Sequence, residues 1–191
     1  MAEMVLVVAD GEWPEAKLLE TLLEAAEFTI ALDGAADRFT SWDAVVGDMD
    51  SISNPQDFKG DYNPENTDLA KALMMYEVDA VVGISGGRLD HQLAAYAALF
   101  ETKSDAILYF DDWRACRVGE SGLEIELEKG TICSIMAFGH VAEITLSGVE
   151  FELDCEDIFT GTRGVGNTVT EDEVKISHKA GDLLFIWEAN A

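Results

Sequence analysis

The apolar positions in the first half of the chain come in short continuous runs, each closed by a polar or glycine-rich turn. Met4–Ala9 ends at Asp10-Gly11, Phe28–Leu32 at Asp33-Gly34-Ala35-Ala36-Asp37, and Ala44–Val46 at Gly47-Asp48-Met49-Asp50. Ala80–Ile84 ends at Ser85-Gly86-Gly87-Arg88-Leu89-Asp90-His91, and Ala106–Phe110 at Asp111-Asp112. Runs of this kind predict strands buried on both faces, as in a parallel sheet. Between them, Glu15–Ala26 carries Leu18, Leu19, Leu22 and Leu23 at helical spacing. Thr67-Asp68 opens a helix to about Tyr76, His91–Phe100 reads as a third helix, and the stretch from Ser53 to Pro64 reads as loop. Strand, turn and helix repeated in this way predict a Rossmann-like α/β unit with a parallel sheet.

After about Trp113 the pattern becomes short and alternating. Leu123–Leu127, Thr131–Phe138, Val141–Leu146, Val149–Leu153, Glu173–Ser177 and Leu183–Trp187 predict strands separated by glycines. Phe159–Thr170 is glycine-rich and reads as a loop. The expected architecture is α/β over residues 1–115, followed by a small antiparallel β-sandwich over 116–191.

Composition narrows the partners. The 191 residues carry 38 Asp and Glu against 12 Lys and Arg, a formal charge of −26. Nucleic acid and anionic membrane surfaces need clustered cations, so neither is expected as a partner. No apolar run is long enough for a membrane-spanning helix, and the N-terminus lacks the basic start of a signal peptide. Cys116, Cys133 and Cys155 form no Cys-x-x-Cys, which predicts neither a disulfide frame nor a zinc site. The expectation is a cytoplasmic protein whose thiols are small core residues.

The turns carry the candidate chemistry. In open parallel sheets the ligand crevice lies outside the carboxyl ends of the strands. Asp10, Asp33, Asp48, Asp50, Arg88 and Asp90 should therefore converge on one edge. On an extended segment Asp48 and Asp50 point the same way, roughly 6.5–7 Å apart. Such a pair is either a solvated acidic turn or an oxygen-ligand site for a divalent cation. Thr67 is a good N-cap, and Lys71 lies one turn beyond Asp68 on the same helix face, at an end that favours anions. Gly86 and Gly87 let backbone N–H groups approach a ligand, and Arg88 can fork two phosphate oxygens. Carboxylates with a lysine and an arginine suit magnesium–nucleotide chemistry. There is no Gly-x-x-x-x-Gly-Lys-Ser/Thr loop, so this is not a P-loop protein.

Four motifs, Asp33-Gly34-Ala35, Gly47-Asp48-Met49-Asp50-Ser51, Thr67-Asp68-x-x-Lys71 and Gly86-Gly87-Arg88-x-Asp90-His91, resemble in order and spacing those of the thiamine pyrophosphokinase family. Gly148-Val149-Glu150-Phe151 and Gly166-Asn167-Thr168 resemble its C-terminal motifs more loosely, with Gly166 where the family has serine. The resemblance implies pyrophosphate transfer from ATP to the hydroxyl of thiamine, with Mg²⁺, yielding thiamine diphosphate and AMP. It implies a homodimer whose active site lies between the α/β domain of one subunit and the β domain of the other. By motif, Asp48, Asp50 and Asp68 would hold metal. Thr67, Lys71, Gly86, Gly87 and Arg88 would bind ATP phosphates. Asp33 and Asp90 would line the reacting end, and Asn167 and Thr168 would contact thiamine. A pterin pyrophosphokinase is the alternative enzyme, and a nucleotide-binding sensor without turnover is the non-enzymatic one.

Overall fold

The computed structural model describes residues 4–48, 53 and 65–189. The chain divides into two compact units, Met1–Asp111 and Asp112–Ala191.

The first unit is a parallel sheet. Its strands are β1 (Val5–Val8), β2 (Phe28–Leu32), β3 (Ala44–Val46), β4 (Ala80–Val82) and β5 (Ile107–Tyr109), in the order β3-β2-β1-β4-β5. Val7 at the centre pairs with Ile30 on one side and Val81 on the other, and all three are fully buried. That double burial is why the runs are continuous rather than alternating. The helices are α1 (Ala16–Ala25), α2 (Asp68–Met75) and α3 (Leu89–Thr102). Leu22 of α1 packs in one cluster with Leu6, Val8 and Val82 of the sheet. Thr67 caps α2, its hydroxyl accepting from the Ala70 N–H at 3.3 Å. α3 starts two residues earlier than the periodicity suggests, with Arg88 as its N-cap. The chain lays β2 and β3 to one side of β1, then β4 and β5 to the other. The topological switch point of the sheet is therefore between β1 and β4.

The second unit is antiparallel throughout. Its strands are β6 (Trp113–Arg117), β7 (Leu123–Glu126), β8 (Ile132–Ser147), β9 (Leu153–Phe159), β10 (Asn167–Thr168), β11 (Glu173–Ser177) and β12 (Ala180–Glu188). The main order is β6-β12-β8-β11-β7, with β9 and β10 also on β8. The two segments expected at Thr131–Phe138 and Val141–Leu146 are one strand. Its first half pairs with β12, and its second half with β11 and β9 across register shifts at Val141/Ile144 and Ile144/Leu146. Glu143 has a φ of 53° at this bend. Irregularities of this kind let one strand serve two sheets. Of the expected strand Val149–Leu153, Val149 makes only a bridge to Val169 and Leu153 begins β9. The real strand there is β9, whose acidic run Asp154–Asp157 has low β-propensity and escapes the pattern.

Cys116 and Cys133 are buried, and burial pushes the Cys133 thiol up to about 11. Cys155 departs from the expectation of a core thiol: it lies exposed on β9. Among the described residues, no helix is long and apolar enough to cross a membrane.

Phe185, fully buried beside Trp187, anchors the second unit. Phe185→Ala should cost about 3–5 kcal/mol in urea unfolding followed by tryptophan fluorescence. A loss below about 1 kcal/mol would contradict this core.

Candidate active site at the sheet switch point

The strand ends meet where the topology requires. A cavity of about 770 Å³ is lined by Asp10 and Gly11 after β1, Asp33 after β2, Asp48 after β3, and Gly83–Arg88 after β4. Thr67, Asp68 and Lys71 enter from the start of α2, and His91 and Ala95 from α3. All of these residues belong to the first unit.

Asp33, Asp48 and Asp68 each present a carboxylate oxygen within 4.8 Å of the other two. Asp33 is buried, and the others are partly so. Its backbone has a φ of 39°, a left-handed conformation that starts the tight 3₁₀ turn Asp33–Asp37. For a residue with a Cβ that conformation costs about 1–3 kcal/mol. Gly47 makes the convergence sterically feasible. A Cβ there would lie 2.9 Å from Asp33 Cβ and 3.2 Å from the Asp68 carboxylate. Lys71, only 6 % exposed, donates from Nζ to Asp68 Oδ1 at 2.9 Å, which offsets part of the negative charge. Three carboxylate oxygens within 4.8 Å of one another fit a hard divalent cation such as Mg²⁺.

The turn after β4 forms the opposite wall. Gly86 and Gly87 both have positive φ, 70° and 62°, and open space faces Gly87. Gln92 Nε2 donates to the Gly86 carbonyl at 2.7 Å, tying the turn to α3. Arg88 donates from Nε and Nη2 to the two oxygens of Asp90, at 3.1 and 2.6 Å. Asp90 also accepts the His91 N–H at 3.0 Å. The Arg88 hydrogen bond, foremost, holds the Asp90 carboxyl down at about 2.

The sequence-derived residues therefore divide. Asp33, Asp48, Thr67, Asp68, Lys71, Gly86, Gly87 and Arg88 line one cavity. Asp90 is exposed outside that lining and grips Arg88. Asp50 lies outside the described residues. Asp33 stands in the metal-type cluster, where the motif reading placed it at the reacting end. The available signal was its register, because Asp33 and Asp48 both follow the ends of adjacent strands. His91, the last residue of the fourth motif, also lines the cavity.

Asn167 and Thr168 lie in the second unit. Asn167 is buried, and its amide clamps the Phe151 backbone: Phe151 N–H donates to Oδ1 at 3.0 Å, and Nδ2 donates to Phe151 O at 2.9 Å. The clamp holds Phe151, 66 % exposed, on the rim of a second cavity of about 580 Å³ that Asn167 and Arg163 also line.

These features define a Rossmann-ordered α/β unit with an acidic crevice, followed by an antiparallel β unit. Residues 122–183 match the family model described as thiamin pyrophosphokinase, vitamin B1 binding domain. The fold of the whole chain resembles thiamine pyrophosphokinase from Bacillus subtilis, with 22% identity, a TM-score of 0.77, and coverage of 99% of this chain and 100% of that one. It likewise resembles a thiamin pyrophosphokinase family protein from Enterococcus faecalis, with 20% identity, a TM-score of 0.78 and coverage of 99% and 100%. Yeast thiamin pyrophosphokinase gives 14% identity, a TM-score of 0.72 and coverage of 97% and 86%. No curated protein matches. The motifs of the first unit and the domain match resemble the thiamine pyrophosphokinase family, and the fold is that of its solved members.

Two outcomes follow from the site's electrostatics. Asp48→Asn removes one of three mutually repelling carboxylates. Without divalent cations its melting temperature should equal or exceed that of the parent, and the gain in melting temperature on adding Mg²⁺ should shrink. A clear loss of stability without metal would contradict a repulsive cluster. Asp90 is lowered from an ordinary 3.8 to about 2. The pair therefore favours the fold above the ordinary value, and that contribution fades as pH falls towards 2. In Arg88→Ala an NMR titration should find Asp90 back near the ordinary carboxylate range, and a value still near 2 would contradict the assignment.

Proposed function

We propose that this chain is a thiamine pyrophosphokinase, transferring the terminal pyrophosphate of ATP to the hydroxyl of thiamine. One observation carries the reading: the Asp33–Asp48–Asp68 cluster, with Lys71, sits at the switch point of a Rossmann-ordered sheet. The vitamin B1 binding domain match over residues 122–183 supports thiamine as the acceptor. In this reading Met1–Asp111 is the ATP-binding catalytic unit and Asp112–Ala191 the thiamine-binding unit. The resemblance further implies a homodimer and a cytoplasmic setting.

In the proposed reaction the thiamine hydroxyl oxygen bonds to the β-phosphorus of ATP. The bond from that phosphorus to the oxygen bridging to AMP breaks, AMP leaves, and the hydroxyl proton is released. The reactants carry several negative charges, so positioning and charge neutralisation matter more than a strong base. Asp33, Asp48 and Asp68, with Asp50 by motif, would hold Mg²⁺, which when bound supplies charge compensation on the phosphates. Lys71 binds phosphate oxygens from beside Asp68, and the Gly86–Gly87 turn offers backbone N–H groups. Arg88, held by Asp90 through Nε and Nη2, offers its remaining N–H groups to phosphate. Asp90, held near 2, is a weak base at neutral pH and serves to orient Arg88. Asn167 acts through the backbone, fixing Phe151 at the second cavity.

The test is an assay of purified protein with Mg·ATP and a panel of alcohols, reading AMP. Thiamine should give AMP and thiamine diphosphate in equal amounts. AMP release with a hydroxymethylpterin and not with thiamine would assign the pterin reaction instead. ATP binding without AMP for any alcohol would make the chain a sensor.

A further inference from the structure

We propose that Arg38 is the positioning residue of this cavity, bracing the turn that carries Asp33 against the loop that follows β1. The inference rests on the proposed reaction only for its effect on turnover. Its geometric basis is independent.

Arg38 ends the 3₁₀ turn begun by Asp33, and its N–H donates to the Ala35 carbonyl at 3.0 Å. Its side chain reaches back 27 and 28 residues to the end of β1. Nη1 donates to the Gly11 carbonyl at 2.7 Å, the Asp10 carbonyl at 2.9 Å and Asp10 Oδ1 at 3.2 Å. The guanidinium carbon lies 3.9 Å from the centroid of the Trp13 ring. Trp13 is fixed in turn, because its indole N–H donates to the Ala9 carbonyl at 2.8 Å and Phe39 meets its ring edge-on at 5.7 Å. One cation is thus held by a carboxylate, two carbonyls and an aromatic face. All three polar contacts come from the single nitrogen Nη1, so what a lysine lacks here is the planar guanidinium face laid against the Trp13 ring.

The braced loop is the seam of the switch point. Gly11 N–H donates to the Gly83 carbonyl at 2.7 Å and Glu12 N–H to the Ser85 carbonyl at 2.6 Å, locking the β1 and β4 turns together. There is no room for slack in this seam, since a Cβ on Gly11 would lie 2.4 Å from both the Gly83 and Ser85 carbonyl oxygens. Arg38 therefore couples three cavity walls: the Asp33 turn directly, the Asp10–Gly11 loop directly, and the Gly83–Arg88 turn through that loop. The coupling matters because Asp33 is under two loads. Its backbone is in a left-handed conformation, and its carboxylate faces those of Asp48 and Asp68. Both loads relax if the turn swings away; Trp42 and Ser53 bond Ala36 and Asp37 of the turn, and Arg38 is the tie that joins it to the loop after β1. It touches no cluster oxygen itself, so it acts through Asp33.

The experiment titrates Mn²⁺ into the intact protein by electron paramagnetic resonance, alongside the AMP assay. The variants are Arg38→Lys and Arg38→Ala, each at a temperature where circular dichroism shows it folded. Loss of a supporting contact around a metal site typically weakens metal affinity about 10–100-fold. Both variants should fall in that range, and Arg38→Lys should recover little of the loss, because restored charge without a planar group against Trp13 does not restore the tie. Wild-type Mn²⁺ affinity in folded Arg38→Lys and Arg38→Ala would overturn the proposal. So would affinity fully restored by lysine, or failure of both variants to fold, which would make Arg38 a residue of the fold alone. If the parent binds Mn²⁺ but releases no AMP, the proposed reaction fails, while the Mn²⁺ comparison still decides the role of Arg38.

Discussion

Like charges do not gather without a reason, and the first unit holds three carboxylates with oxygens within 4.8 Å of one another. In a folded chain this arrangement is a standing cost, relieved by a cation or by protonation. Much of the local architecture serves to keep it. Parallel strands deliver Asp33 and Asp48 to the same edge, and the N-terminus of α2 delivers Asp68. Gly47 leaves out the one atom that would wedge them apart, and Lys71 contributes a partly compensating charge from a nearly buried position. The fold is what brings together residues that lie 15 to 35 positions apart in the chain.

The parallel sheet was legible because its burial is simple. Strands covered on both faces leave continuous apolar runs, and their polar turns mark the carboxyl edge. Phe28–Leu32 and Ala44–Val46 fall at the bounds that the pattern indicates. The second unit was less legible, because a strand can bend through a glycine and keep pairing. Gly139 and His140 look like a break, yet His140 pairs with Phe159 and the strand continues. β9 was invisible for the opposite reason. Its acidic residues are poor strand formers, and its place is set by tertiary pairing with β8.

The site shows the same division. Motif spacing located the cavity walls, because residues at strand ends must share an edge. Strand register sets Asp33 near Asp48, but the sharp turn that Asp33 begins is not visible in the spacing. Nor could spacing reveal Arg38, whose partners are backbone carbonyls on a loop far back in the sequence. Asn167 illustrates the converse. The motif picks it out, while its amide is occupied with the backbone of Phe151, a bond that spacing does not show. Side chains that hold other groups in place leave weaker marks on a sequence than those that meet a ligand.

The most direct test of the central claim is anomalous diffraction from crystals grown with Mn²⁺ and a non-hydrolysable ATP analogue. The account predicts an ion between the carboxylates of Asp33, Asp48 and Asp68, with phosphate oxygens completing its shell. A nucleotide bound elsewhere, or bound in the crevice with no ion among those three residues, would contradict it.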